Sequence, residues 1–397
     1  MLIFFFIVVI YSTANYYFFS RLTSTAHLGT PATIVLGVLI LFMTLSPVLI
    51  PLYNHRGSEK KAKIFSYAGY LWLAFLVPFF PLSLLLDLYN SVAHYSVLFG
   101  EAPWGLPPIS RETSFFIALV LSIASIAFGY LEAKNIRVER LVMPTARLPG
   151  GTDRVRIAQI SDLHLGVIVR DSTVKKVIGL IEKEKPDIIV STGDLVDGIT
   201  RHIDHLAPAF RKLEAPLGKY AVVGNHEVYG GLKNTERFIR DSGFVLLRGE
   251  GMTAGNTINI AGMDFLGGEA RQHRMASSQE REQAILSRLP PGLFTVLLKH
   301  RSDVEDESLG LFDLQLSGHT HKGQIFPMNL ATMFLFSYHS GFTRLSKGSA
   351  IYTSRGTGTA GPPVRFLSRP EVTIIDIIPT TGNRRETLGR EDTCGIQ

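Results

Sequence analysis

Acidic, amide and imidazole side chains recur directly after short apolar runs in the second half of this 397-residue chain. Such side chains are common ligands of transition metals, and open α/β sheets collect them at the carboxyl ends of their strands. One such motif arises easily by chance, but five in succession indicate a metal site. Glycines precede three of the motifs and permit sharp turns with close backbone approach. The candidate ligands are Asp162, His164, Asp194, Asn225, His300, His319 and His321.

The mixture of donors narrows the choice of metal. Neutral imidazoles with two carboxylates and an amide oxygen suit Mn²⁺, Zn²⁺ or Fe, whereas Ca²⁺ and Mg²⁺ prefer oxygen ligands alone. The ligands outnumber the roughly four of a closed structural zinc site, and they suffice for two ions ~3.5–4 Å apart if one carboxylate bridges them. Such a pair generates hydroxide near neutral pH and neutralises phosphoryl oxygens. The motifs therefore predict a dimetal phosphoester hydrolase.

Short β-rich runs alternate with helical patterns between residues 148 and 379, which predicts an α/β layered domain. Strands are predicted at residues 155–160, 188–192, 220–223, 245–247, 257–261, 294–298, 314–316, 350–353 and 372–377. Helices are predicted at residues 172–185, 203–213 and 234–241. The polar tail, residues 380–397, is predicted to be disordered, and it holds the single cysteine, Cys394. No disulfide or thiolate metal site is therefore expected in the core.

The order of these motifs resembles the calcineurin-like metallophosphoesterase superfamily over residues 155–378. The resemblance implies an αββα sandwich with two sheets. Two stretches, residues 318–324 and 355–363, resemble the bacterial membrane-associated phosphodiesterase branch. That branch is similar to the UDP-diacylglucosamine hydrolases of the lipid A pathway.

The same resemblance assigns a role to each residue. It implies that Asp194 bridges the two ions. It also implies that His226 does not bind metal but protonates the leaving oxygen or stabilises the transition state. The remaining ligands divide between the ions, with Asp162, His164 and His321 on the first and Asn225, His300 and His319 on the second.

Five further charged residues lie near the motifs. Glu227 is expected to orient a metal ligand from behind. Asp197 either does the same or is a solvated loop charge. Arg301, Lys322 and Arg355 either bind the phosphate or are ordinary surface charges.

The first 147 residues have a different, strongly apolar composition. Four of their stretches are long enough to cross a bilayer of ~30 Å as helices. The first is either a retained helix or a signal peptide, and the lack of a basic residue before Arg21 favours the helix. We therefore predict a transmembrane anchor at residues 1–147 and a metallophosphoesterase domain at residues 148–379. The predicted helices cover about residues 2–19, 31–53, 67–89 and 115–131.

Basic residues predict the orientation of this anchor. Arg56, Lys60, Lys61 and Lys63 follow the second apolar stretch, and a second basic group follows the fourth. The other two loops hold one basic residue each. Because short cytoplasmic loops are enriched in Lys and Arg, both termini and the catalytic domain are expected in the cytoplasm, at a bacterial inner membrane.

Charge and apolar surface indicate the partners. After residue 147 the chain holds 30 Lys and Arg against 28 Asp and Glu, so a nucleic-acid partner is not expected. The expected partners are a phosphoester substrate and membrane lipids. Residues 325–342 carry many large apolar side chains. They are either packed in the core or form a lid or acyl-chain surface that faces the bilayer.

Three functions agree with the sequence. The leading hypothesis is hydrolysis of a phosphodiester or pyrophosphate bond in a lipid-linked substrate, by attack of metal-bound hydroxide. The first alternative is a phosphodiesterase for soluble nucleotides, with the helices as a simple tether. The second is a membrane sensor or scaffold whose metal domain only transmits a signal, although the complete ligand set with His226 favours catalysis.

Overall fold

The computed structural model describes residues 2–55, 59–98, 107–198, 203–265 and 281–380. The predicted disordered tail lies outside these residues from 381 onward, as do 56–58 and 99–106 of two predicted loops. The chain forms two compact units. One is built mainly from residues before Glu132 and also includes Ile325–Met328 and Gly361–Leu367, and the other contains the remaining residues.

Long helices make up most of the first unit, and each coincides with a predicted apolar stretch. They are α1 (Leu2–Thr25), α2 (Thr30–His55), α3 (Glu59–Leu98) and α4 (Arg111–Ala133). Within the described residues, only α3 and α4 contain a span long and apolar enough to cross a membrane, at Lys60–Tyr95 and Arg111–Ala133. The apolar stretch of α2, Thr30–Ser46, is shorter. The predicted four-helix transmembrane region is therefore not confirmed, because only two helices in the described part of the chain have the length and composition of a membrane span.

Aromatic side chains fill the interior of the helical unit. Phe79 of α3 is fully buried, and its ring lies edge-on to Phe18 of α1 with centroids 5.2 Å apart. A polar cluster joins the same two helices, because Asp87 of α3 forms an ion pair with Arg21 of α1. The Tyr17 hydroxyl donates a hydrogen bond to the same carboxylate at 2.6 Å. Pairing of this kind lets charged side chains lie among apolar helices.

Two six-stranded sheets form the second unit, so the predicted two-sheet α/β fold is confirmed. The strands are β1 (Arg137–Thr145), β2 (Val155–Ile160), β3 (Ile188–Ser191), β4 (Lys219–Ala221), β5 (Val245–Leu246), β6 (Glu250–Ala254), β7 (Ile258–Gly262), β8 (Phe294–Leu298), β9 (Leu314–Ser317), β10 (Gly341–Arg344), β11 (Ala350–Thr353) and β12 (Glu371–Pro379). One sheet has the order β1-β12-β2-β3-β4-β5 and the other β10-β11-β9-β8-β7-β6. Strands β2, β3 and β4 are parallel, as are β7, β8 and β9. Each set therefore brings its carboxyl ends to one edge.

The first sheet buries apolar side chains on both faces. On one face, Ile189 of β3 belongs to a cluster with Phe238 of a covering helix. On the other, Val190 packs in a cluster that includes Leu316 of the second sheet. Neighbouring residues of one strand thus serve opposite faces. The helices of this unit include α5 (Asp171–Glu184), α6 (Ala207–Arg211), α7 (Asn225–Tyr229), α8 (Leu232–Asp241) and, apart from its first residue, α9 (Met328–Leu335). Residues 281–287 are also helical.

Three strands, β1, β6 and β10, were not predicted. All three are edge strands, and most of their side chains are exposed or half-buried, so their apolar pattern is weak. Strand β1 lies inside the stretch predicted to be anchor, yet it pairs in parallel with β12 from Arg137 to Thr145. The sheet-forming part of the chain therefore begins before residue 148.

Candidate metal centre

The candidate ligands stand at the carboxyl ends of the central strands of both sheets, where the sequence predicted them. Asp162 and His164 follow β2, Asp194 follows β3, Asn225 opens α7 after β4, His300 follows β8, and His319 and His321 follow β9. Three groups have ligand atoms that all lie within 4.8 Å of one another. These groups are Asp162 with His164 and His321, His164 with Asp194 and His226, and Asp194 with His300 and His319.

The spacing of the donor atoms fits metal ions. The Nε2 atoms of His164 and His321 are 3.0 Å apart, and Nε2 of His300 is 3.1 Å from Nδ1 of His319. Two ligands held ~2.0–2.2 Å from one ion lie about 3 Å apart, so each pair has the separation that a shared ion imposes. An Asp194 oxygen, Oδ2, lies 3.3 Å from Nε2 of His300 and 3.8 Å from Nε2 of His164. Asp194 thus reaches both halves of the cluster, as a bridging carboxylate must.

Hydrogen bonds and nearby charges set the protonation of the second half of the cluster, Asn225, His300 and His319. Burial lowers the pKa of His300, but the charge of Asp194 and a hydrogen bond to it raise the pKa to about 9, so a metal ion bound there would displace a proton. The Nδ1 atom of His300 lies 2.9 Å from the carbonyl oxygen of Thr192, so Nδ1 keeps a proton and Nε2 is the atom that would bind a metal ion. That Nε2 is 3.0 Å from Oδ1 of Asn225. Burial, followed by the charge of His300, lowers the pKa of His319 to about 3. His319 is therefore neutral, which is the form that binds metal.

Most of the ligands have an unusual backbone. Asp162, His164, Asp194, His319 and His321 have φ values between 49° and 73°. This left-handed region is uncommon for residues other than glycine and costs of order 1–3 kcal/mol each. Strain concentrated at converging polar side chains is typical of a functional site.

Glycines let the ligand loops approach one another. Gly193 has φ +93°, and a Cβ atom there would lie 2.6 Å from Nδ1 of His300. A Cβ atom on Gly224 would collide with the carboxylate of Asp194. A Cβ atom on Gly318 would collide with the carboxylate of Asp162. Glycine is therefore required at the three positions that precede ligand motifs, because no side chain fits there.

Glu227 holds two ligand loops together, as its predicted supporting role requires. The side chain is fully buried, and its carboxylate accepts hydrogen bonds from the backbone N–H groups of Asp194 at 2.9 Å, Val196 at 3.0 Å and Gly224 at 2.7 Å. Burial and then the charge of Asp194 raise the pKa of Glu227 to about 7, although the backbone donors oppose this.

His226 pairs with Asp197 at the side of the cluster. Its Nδ1 lies 2.6 Å from Oδ1 of Asp197, and its ring stands edge-on to that of His164 at 4.5 Å. Its side chain is 34% exposed, whereas that of His164 is 1% exposed. Burial lowers the pKa of His226, but the hydrogen bond to Asp197 and nearby carboxylates raise it to about 9. Asp197 is thus a partner of His226 and not a solvated loop charge.

The three candidate phosphate-binding residues differ in their surroundings. Arg355 forms ion pairs with Glu371 of β12 and Glu139 of β1, so it links these two neighbouring strands rather than standing free for a phosphate. Arg301 donates from Nε to Asp303 at 2.9 Å. Among the described residues, no carboxylate lies within ion-pair distance of Lys322, which directly follows His321.

Aromatic side chains surround His319 in contacts that the sequence did not predict, although Phe336 belongs to the apolar stretch at residues 325–342. The rings of Phe336 and Phe265 lie 5.7 Å and 6.2 Å from it. The guanidinium of Arg301 lies over the same Phe336 ring at 5.6 Å. No local pattern marks these residues, because their contacts join segments that are distant in sequence.

Within the apolar stretch at residues 325–342, helix α9 is not packed in the core. None of the residues of α9 is buried. Phe334 is 90% exposed and Leu335 is 75% exposed. The large apolar side chains of this helix are exposed, so the core interpretation is wrong for α9.

Replacing Glu227 with alanine tests the support of the ligand loops. Glu227→Ala leaves three buried backbone N–H groups without a partner, and each costs about 1–3 kcal/mol. We expect a clear fall in the free energy of unfolding and weaker metal binding, measured by denaturant titration and elemental analysis. Glu236→Ala, which removes a part-exposed carboxylate paired with Arg248, should change both much less. Near-parental stability of Glu227→Ala would contradict this role.

Comparison with known proteins identifies the family of this chain. The model of the calcineurin-like phosphoesterase family matches residues 155–323. A metallophosphoesterase of Aquifex aeolicus is 40% identical over 263 residues, which are 66% of this chain and 98% of that protein. A transmembrane protein with metallophosphoesterase domain from Danio rerio is 28% identical over 278 residues, 65% of this chain and 61% of that protein.

Among solved structures, a dimetal phosphatase from Danio rerio is 14% identical with a TM-score of 0.35, and the match covers 52% of this chain and 88% of that chain. The relative from Aquifex aeolicus is similar enough, and covered over enough of its length, to establish the family. The chain therefore belongs to the calcineurin-like phosphoesterase family and is a metal-dependent phosphoester hydrolase.

Proposed function

We propose that this hydrolase is anchored in a bacterial inner membrane and cleaves a phosphodiester or pyrophosphate bond in a lipid-linked substrate on the cytoplasmic side. One observation carries the proposal. Helix α9 begins seven residues after His321 and exposes its apolar side chains, with Phe334 90% exposed. An acyl chain or a bilayer surface would cover such a helix, whereas a soluble ester has no use for it.

Phe336 connects this helix to the metal centre. The residue directly follows α9, and its ring packs against His319 and under Arg301. Residues 328–336 thus carry both the exposed apolar surface and a ring that contacts the candidate ligand His319. A substrate with a lipid tail and a phosphate headgroup would contact both at once, the tail on α9 and the headgroup at the ligands.

Seven residues would hold the two ions. Asp162, His164 and His321 would hold the first, Asn225, His300 and His319 the second, and Asp194 would be shared. The nitrogen-rich donor set favours Mn²⁺, Zn²⁺ or Fe. Bound there, the ions would supply a nucleophile from water near neutral pH and neutralise charge on the phosphoryl oxygens.

His226 would act on the leaving group. Asp197 holds Nδ1 of the ring, which leaves Nε2 as the atom that can donate a proton to an oxygen of the substrate. The partial exposure of the side chain allows substrate contact, in contrast to the buried His164 and His300. Lys322, next to a ligand and without a carboxylate partner among the described residues, would contact the phosphate.

A phosphodiesterase for soluble nucleotides is the second candidate. Tyr229 favours it, because this aromatic side chain is 72% exposed and lies 6.5 Å from His226. An exposed ring at that position could stack on a base. A sensor or scaffold, the third possibility from the sequence, is less favoured because the ligand set and His226 converge in one place.

Metal content tests the dimetal assignment. The full-length protein, reconstituted with Mn²⁺ or Zn²⁺, should bind about two ions per chain because its donors exceed one coordination shell. Asp194→Ala should lower occupancy of both sites, since it removes the shared ligand. Asp171→Ala, which removes an exposed carboxylate of α5, is the matched control and should bind as the parent does. One ion or none in the parent protein by elemental analysis would refute the assignment.

A substitution at His226 tests proton donation. His226→Gln should lower kcat by about 10²–10⁴-fold with metal content unchanged. The loss should shrink for aryl esters, whose leaving groups need no proton. His205→Gln is the control, because His205 forms a similar pair with Asp171 outside the site, at 2.9 Å. Loss of metal in His226→Gln would make this residue a ligand instead.

Two serine substitutions on α9 distinguish the lipid-linked substrate from the soluble one. Phe334→Ser with Leu335→Ser should raise KM for a lipid-linked pyrophosphate at least about tenfold, because burying each side chain is worth about 1.5–3 kcal/mol. Turnover of a small soluble diester should not change, since Phe336 and the ligands are intact. Met252→Ser with Val245→Ser, at exposed positions on edge strands, is the control. An unchanged KM of the α9 variant for the lipid-linked substrate would favour the soluble-nucleotide hypothesis.

A further inference from the structure

The loop between β11 and β12 contains a segment that belongs to the helical unit. Within that unit, the N–H of Arg365 donates a hydrogen bond to the carbonyl oxygen of Gly129 in α4 at 2.9 Å. The ring of Phe366 stands edge-on to Phe128, with centroids 6.1 Å apart. Val364 is fully buried in a cluster with Ala74 of α3. The segment Gly361–Leu367 is therefore packed on α3 and α4 through backbone and side chains.

Gly129 makes this close packing possible. A Cβ atom at Gly129 would lie 2.7 Å from Cγ1 of Val364 and 3.2 Å from the carbonyl oxygen of Arg365. Glycine in a helix interior is less stable than alanine, so its presence in α4 needs a reason. Close approach of the segment to the helix provides that reason.

The residues on either side of this segment support the metal ligands. In the catalytic unit, the N–H of Thr357 donates to the carbonyl oxygen of Ser161 at 2.7 Å, and the N–H of Gly358 donates to that of Asp162 at 3.0 Å. After the segment, the Ser368 hydroxyl donates to the carbonyl oxygen of His321 at 2.6 Å. The loop thus holds the backbone of two ligands assigned to the first ion.

A second segment of the helical unit, Ile325–Met328, and the residue before it form hydrogen bonds with the first segment and its preceding residue. Gln324 and Ala360, the residues just before the two segments, exchange two hydrogen bonds of 3.2 Å and 2.8 Å. Within the helical unit, the N–H of Phe326 donates to the carbonyl oxygen of Phe366 at 3.1 Å. Both segments therefore keep a fixed register, and a shift of one must move the other.

We propose that α4, through Gly129, positions the ligands of the first metal ion. The proposal rests on the ligand assignment given under the proposed function. Residues 357–368 are one continuous stretch, so displacement of its middle part from α4 must disturb Gly358 and Ser368 at its ends. Asp162 and His321 both belong to the first ion, whereas Asn225, His300 and His319 receive no hydrogen bond from this loop among the described residues. Gly129 is therefore a positioning residue. Disturbance of α4 weakens binding of the first ion more than that of the second, because Asp162 reaches the ligands of the second ion indirectly, by accepting hydrogen bonds from the N–H of His319 at 2.9 Å and 3.1 Å.

Gly129→Ala in the full-length protein tests this coupling. We expect affinity for the more affected Mn²⁺ ion to fall at least about tenfold, the usual cost of disturbing the support behind a ligand. Affinity for the other ion should fall less. Calorimetry gives the two affinities, and the electron paramagnetic resonance spectrum reports loss of the coupled pair. Gly37→Ala in α2 is the matched control, because its Cβ would meet only the Phe19 ring at an ordinary 3.6 Å.

A rescue variant separates positioning from general damage. Gly129→Ala with Val364→Ala removes the methyl group that the new Cβ meets, and it should recover part of the lost affinity. Unchanged binding of both ions in Gly129→Ala would overturn the proposal, and so would an equal loss of both ions without rescue. Fewer than two ions in the parent protein would instead refute the dimetal assignment, and this inference with it.

Discussion

The metal centre depends on loops that turn immediately after parallel strands. Asp162, Asp194 and His319 can point into one small space only because their backbones adopt the left-handed conformation at the strand ends. This conformation is unfavourable for side chains other than glycine. Two buried sheets and the hydrogen bonds of Glu227 hold it in place, since the carboxylate binds the N–H of Asp194 itself. The fold thus stabilises locally unfavourable residues where the chemistry needs them.

The centre of the fold could be read from the sequence. Strands such as Ile188–Ser191 and Phe294–Leu298 are fully buried, so they appear as unbroken apolar runs, and the polar motif that follows marks the end of each strand. The three missed strands are edges with one partner each. In β1, charged residues interrupt the pattern, and the strand is defined by its pairing with β12, which is far away in sequence. Long-range pairing of this kind leaves no local signal.

The candidate site follows the same division. Ligand types and order were visible because coordination restricts them to a few residue types. The residues that hold those ligands were less visible. Ser368 supports His321 through a carbonyl oxygen, and Phe336 packs on His319 through an apolar ring, so neither contact requires a recognisable motif. Arg355 shows the converse, since a cation beside a glycine-rich run is used in ion pairs with Glu371 and Glu139.

The glycines before the ligand motifs carry no functional group, yet they are as restricted as the ligands. Any side chain at Gly224 or Gly318 would occupy the volume of the carboxylate of a proposed metal ligand, Asp194 or Asp162. In a saturation mutagenesis screen scored by growth or activity, these positions would appear as intolerant as Asp194 and Asp162. A search pattern for related chains should therefore retain each glycine with its ligand, because the pair separates a real metal loop from a chance run of aspartate and histidine.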